Sequence, residues 1–170
     1  MKSKKFLKIC FALCIFMHAI AYGESSSLCS PNEKIFFSCH IGKKIVSFCE
    51  SKVDGADKYL EYRYGKPNKI ELRYKGGASD SSNKFNKAEV LGASNGGTEI
   101  WFKNNETYYV LSDPVRGWPY LELYKNGSSL AKLPCNNVQG HIEGNTDDSS
   151  SSINVKTQED FFAEVLNIKR

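Results

Sequence analysis

Histidine is scarce in this sequence, with three among 170 residues, and no two of its six cysteines stand in a C-x2-C pair. That spacing argues against zinc, and with so little imidazole there is no cysteine/histidine ligand set to assemble. Also missing are a G-x-S-x-G nucleophile elbow, a Walker A loop, an H-E-x-x-H helix and a glycine-rich cofactor cradle, so no catalytic residues and no cofactor are expected. The glycine-containing stretch from Gly92 to Gly97 precedes a strand rather than a helix, which denies it the aligned N–H groups of a phosphate site. No apolar run reaches the ~20 residues that a membrane-spanning helix needs.

The longest apolar run, Ile9 to Ile20, follows Lys2, Lys4, Lys5 and Lys8 and closes on Ala19-Ile20-Ala21. A basic start, a short apolar stretch and small residues at its end predict a secretory signal peptide over residues 1–21. The formal charge of +4 comes from that leader. Its four lysines account for the whole excess of 23 basic over 19 acidic side chains, leaving 19 against 19. A neutral mature chain has no electrostatic footprint for nucleic acid. Cys10 and Cys14 leave with the leader, and Cys29, Cys39, Cys49 and Cys135 remain as two predicted disulfides in an exported domain, placed in the periplasm or secreted. Three pairings are open. In any of them Cys135 ties the last strand to the N-terminal region. A closed loop of roughly a hundred residues is worth about 4–5 kcal/mol in the chain-entropy account.

From Glu33 to Cys135 the pattern has period two, with turn signals every eight to twelve residues, and it predicts an all-β antiparallel barrel or sandwich of eight to nine strands within a disulfide-stapled domain of residues 22–135. Ile35, Phe37 and Cys39 are expected on one face of the first strand. Leu60, Tyr62 and Tyr64 alternate with Glu61 and Arg63, turn at Lys66-Pro67-Asn68-Lys69, and meet Ile70, Leu72 and Tyr74. One face of that hairpin is aromatic and the other suits cross-strand charge pairs. Asn104-Asn105 and Asn126-Gly127 mark two further hairpins. Residues 136–156 read as a polar linker, with Asn145 to Ser152 made only of Asn, Thr, Asp and Ser. A C-terminal amphipathic helix is predicted over 157–170, capped by Thr157 with acidic residues in its first turn. Its apolar stripe of Phe161, Phe162, Val165, Leu166 and Ile168 is expected to dock on the domain, with a grip on a partner or a membrane surface as the alternative.

Candidate functional residues are sparse. Asp113 to Tyr120 is the most distinctive loop, in which Trp118 and Tyr120 flank Pro119. Trp118 either plugs one end of the β core or presents a rigid aromatic platform of the kind that anchors interfaces. Asp113 and Glu122 read as surface charges. His40 lies on the polar parity of its strand and His141 in the C-terminal loop, with no nucleophile beside either. Asn105-Glu106-Thr107 and Asn126-Gly127-Ser128 match the glycosylation sequon but fall in turns where it arises by chance.

Phe36-Phe37-Ser38-Cys39, Gly42 to Cys49, Tyr59 to Gly65 and Leu133-Pro134-Cys135 together resemble a group of small, uncharacterised exported proteins of Gram-negative bacteria. That resemblance implies an envelope location and a β fold. A fainter similarity, in the cysteine-ended strand and Gly-Lys turn from Phe37 to Lys44 and in Ser94 followed by Trp101-Phe102-Lys103, is to the membrane-bound and periplasmic inhibitors of c-type lysozyme. It implies that Ser94 and Lys103 enter a partner enzyme's cleft. The family's S-G-x-x-Y signature is here Ser94-Asn95-Gly96-Gly97-Thr98, without the tyrosine. The expected function is non-enzymatic binding of an envelope protein or enzyme, of inhibitor or immunity type, through Ser94, Lys103, Trp118 and Tyr120. The rival expectations are an envelope hydrolase and a structural envelope component.

Overall fold

The computed structural model describes residues 26–53, 57–77, 85–92, 96–140, 142 and 153–168. The leader, Ser94 and His141 lie outside those residues. The elements in chain order are β1 (Glu33–Ile41), β2 (Lys44–Ser51), β3 (Tyr59–Lys66), β4 (Lys69–Gly77), β5 (Phe85–Val90), β6 (Gly97–Asn104), β7 (Thr107–Pro114), β8 (Tyr120–Lys125), β9 (Ser128–Pro134), β10 (Asn136–Gln139), β11 (Ile153–Val155) and α1 (Gln158–Glu164).

Period-two alternation sends one set of side chains from each strand to a shared interior. The strands form a five-stranded sheet A, ordered β10-β1-β2-β3-β4, and a six-stranded sheet B, ordered β11-β5-β6-β7-β8-β9. The two pack as a sandwich. Phe37, Val46, Phe48, Leu60 and Tyr62 of sheet A meet Phe85, Ile100, Phe102, Leu111 and Leu121 of sheet B in one cluster. Ring contacts join the layers: Phe48 lies 5.5 Å from Phe85, and Tyr62 lies 4.9 Å from Phe102. Asn126 and Gly127, at φ 52° and 77°, both take the left-handed backbone that the β8–β9 turn requires.

Four expectations change. Among the described residues there are eleven strands, because the span read as a linker supplies two. Each satisfies its backbone on the edge of an existing sheet and sends one apolar side chain, Val138 or Ile153, against the core; β10 pairs with β1 and β11 runs parallel to β5. Ile35 does not share the face of Phe37. A bulge sets Ile35 opposite Cys49 and Phe37 opposite Phe48, which turns Ile35 outward to 42% exposure. Helix α1 ends at Glu164, where Val165 closes it and Asn167 turns left-handed at φ 55°. At its start Thr157 and Asp160 form a reciprocal capping box. The Trp118 plug is also overturned, because that side chain is 72% exposed while Ile142 is fully buried in the core.

Both outer faces of the sandwich are covered in part. Residues 26–32 cross the outside of sheet A, where Ser38 donates to the Ser26 carbonyl, the Leu28 N–H donates to Ser47 and Arg63 donates to the Leu28 carbonyl. The disulfide Cys29–Cys49 pins this strap. The second disulfide, Cys39–Cys135, spans 96 residues and ties the end of β9 to β1. On sheet B, α1 lays Phe161 and Val165 against Ala88, Trp101 and Val110. Among the described residues no helix is long and apolar enough to cross a membrane.

Candidate functional site

The chain leaves β7 at Pro114, crosses Val115-Arg116-Gly117 and returns through Trp118 and Pro119 to β8. Two glycines permit this shape. Gly117 holds φ 108°, and a Cβ on Gly97 would lie 2.6 Å from the Asp113 carbonyl oxygen, so β6 and β7 close up at this end only with glycine there. The Val115 N–H donates to the Gly96 carbonyl at 2.8 Å, fastening the β7–β8 loop to the end of the β5–β6 loop. Pro119 is buried and its carbonyl accepts from Cys135 N–H, so the loop's base is fixed while its tip projects. Leu91, Val115 and Trp118, three large apolar side chains on the two loops joined at Gly96 and Val115, are 79%, 80% and 72% exposed, and Arg116 is exposed too. Large side chains this exposed are worth attention when they sit together on fastened loops.

The four residues expected to bind are not all brought together. Tyr120 begins β8 next to the Trp118 loop, half-buried, with the Lys132 ammonium 3.6 Å from its ring centroid. Lys103 lies six residues along β6 from Gly97, about 20 Å at strand rise. It sits over Tyr108 at 5.1 Å and helps line a cleft of about 440 Å³ with Glu106, Asn126, Glu164 and Asn167. Both cleft carboxylates are engaged: Glu106 with Lys125 at 2.7 Å, and Glu164 with Lys156 and with the Trp101 indole N–H. Ser94 falls outside the described residues. Trp118 and Tyr120 thus share one end of sheet B, and Lys103 occupies the other.

The strongest electrostatic feature lies under the strap. Arg63 donates to both oxygens of Glu33 at 2.7 and 2.6 Å and to Glu61 at 2.6 Å, and Arg73 reaches the other oxygen of Glu61 at 3.0 Å. Burial alone would raise Glu33, but Arg63, Ser30 and Tyr59 hydrogen-bond its carboxylate and hold it at about 2. Glu61 is pushed up by burial too and is held low by Arg63 and Arg73. The hairpin pattern placed Glu61 and Arg63 on the charged face. Glu33 was not found, because the β1 bulge decides its direction.

Glu99 is the opposite case and was also missed. It lies on the outer face of sheet B and accepts from the Ser112 hydroxyl. Burial pushes it up to about 7 against that bond, and neighbouring Glu122 adds to the rise. Glu122 itself accepts from Ser129, and Asp113 accepts from the Ile142 N–H, so both named carboxylates have structural partners. His40 is buried on β1. Cys29, Glu33 and Cys49 are near enough to share an ion, but both sulfurs are in the disulfide and neither is a thiolate ligand.

Comparison with protein-family models, with curated proteins and with solved structures returns no match to this chain.

Proposed function

We propose that this protein is exported to the periplasm or beyond and acts there as a non-enzymatic binding protein, of inhibitor or immunity type, that docks an envelope protein through the loop end of sheet B. Two disulfides fit an oxidising compartment. The observation that carries the reading is the group Leu91, Val115 and Trp118, all more than two-thirds exposed and fastened by the Val115–Gly96 bond. A tryptophan already fixed at its base loses little freedom on docking, which is how aromatic anchors come to dominate interfaces.

The test is affinity capture from envelope extract, with the oxidised protein as bait and a Trp118→Ala, Val115→Ser variant as control. Both substitutions lie at the exposed tip, so the fold should be unaffected within about 0.5 kcal/mol. A protein retained by the wild type and lost by the variant supports the reading. A partner indifferent to these two residues, or lost instead with Lys103→Ala, moves the docking surface to the other end of sheet B.

A further inference from the structure

We propose that Cys29–Cys49 is a thiol-exchange site, at which a dithiol reductant opens the strap over sheet A while the core disulfide stays closed. The two disulfides differ in access. Cys39 and Cys135 are 0% and 1% exposed and both belong to the interior cluster between the sheets. A reductant reaches them only when the sandwich itself opens. Cys29 is partly exposed and sits on the strap, outside both sheets, whereas its partner Cys49 is buried on β2. Attack is therefore directed at the Cys29 sulfur.

In the first step a thiolate of the reductant bonds to Sγ of Cys29 as the Cys29–Cys49 bond breaks, and Cys49 leaves as a thiolate that takes up a proton. In the second, the reductant's other thiol attacks the mixed disulfide, Cys29 leaves and is protonated, and the reductant departs as a disulfide. Two electrons pass from the dithiol to the protein. What then holds the part of the strap that lies over the sheet is the buried Leu28 side chain and the bonds from Leu28 N–H to Ser47, from Ser38 to the Ser26 carbonyl and from Arg63 to the Leu28 carbonyl, each 2.9 Å, while Ser30 and Pro31 stay tied near its root by Glu33 and Lys52. Arg63 keeps Glu33 and Glu61, both on strands, so sheet A stays formed while the strap lifts.

Graded dithiothreitol added to the oxidised protein under native conditions, quenched with iodoacetamide and mapped by peptide mass, tests this. Labelling of Cys29 and Cys49 should outpace that of Cys39 and Cys135 by about tenfold or more, as access dictates. Far-UV circular dichroism should hold steady, and amide hydrogen exchange should rise in residues 26–32. Simultaneous reduction of both bonds, or earlier reduction of Cys39–Cys135, overturns the proposal. A Cys29→Ser, Cys49→Ser variant retains the core disulfide and should exchange in 26–32 as the reduced wild type does. Protection there equal to that of the oxidised protein removes the clasp.

Discussion

The two covers of this sandwich solve the same problem by different means. Sheet A turns Glu33, Glu61 and Arg63 outward and buries them under a strap held by a covalent bond. Sheet B turns Trp101, Val110 and Ala88 outward and buries them under a seven-residue helix held without one. Charged groups set in place demand fixed geometry, because an ion left without its partner is far more expensive than a loosened methyl group. Apolar contact is tolerant of small shifts, and a helix this short exists only while its face is covered. The disulfide therefore lies on the cover where misalignment would be most damaging.

Removing the guanidinium from beneath the strap should have the largest effect. Arg63→Met leaves two carboxylates, 1% and 11% exposed, without the cation between them, and should cost about 3–5 kcal/mol in urea unfolding. Adding Glu33→Gln to that variant should recover part of the loss. A double variant as unstable as the single one would mean that the network matters through shape rather than charge. The same pairing gives the wild type an acid limb. Glu33 is at about 2 when folded against an ordinary value of 4.5, so its contribution is complete above about 4.5 and disappears as pH falls toward 2.

Next in size is the apolar cover. Phe161 packs on Trp101 at 5.1 Å between ring centroids, and Phe161→Ala should cost about 2–3 kcal/mol. Trp101 and Trp118 are the two tryptophans, so a Trp118→Phe background makes Trp101 the sole reporter. In that background Phe161→Ala should shift emission to the red as α1 loosens. Emission that stays blue would show that Trp101 is shielded by the sheet rather than by the helix.

Much of this comparison was legible from alternation alone. The β3–β4 hairpin turns where the pattern from Leu60 to Tyr74 places it and keeps the faces so read, although a bulge between Tyr64 and Gly65 sets the register that pairs Tyr62 with Tyr74 and Arg63 with Arg73. Asn126-Gly127 turns and Thr157 caps where their backbone chemistry demands. What escaped the sequence depends on events between distant segments. The bulge between Ile35 and Phe37 reverses one strand's parity, and with it the direction of Glu33. Period two also puts Trp101 opposite the core residues Ile100 and Phe102, so its burial is unreadable until α1 is known to lie over it. At the candidate site, period two does not say that Trp118 projects from its loop while Ile142, in a polar stretch, is buried in the core, and Lys103 parts from Trp118 because β6 runs the length of the sheet.

The smallest effect sharpens the contrast between glutamates. Glu33 and Glu99 share one chemistry and are driven in opposite directions, since one face supplies a guanidinium and the other a hydroxyl with a second carboxylate nearby. Lys132 lowers Glu99, but its ammonium lies over the Tyr120 ring and it does not overcome burial. With Glu99 at about 7 when folded, the native state keeps a proton that the unfolded chain releases above 4.5. Stability from this group is therefore complete below about 4.5 and falls as pH rises through 7. Because the residue is partly exposed, the loss is discounted to on the order of 2 kcal/mol. Glu99→Gln should flatten Tm between pH 5 and 8 and raise it at pH 8. If the decline with pH is the same in the variant, the proton belongs to another group, and sheet B's outer face holds its carboxylates as comfortably as sheet A does.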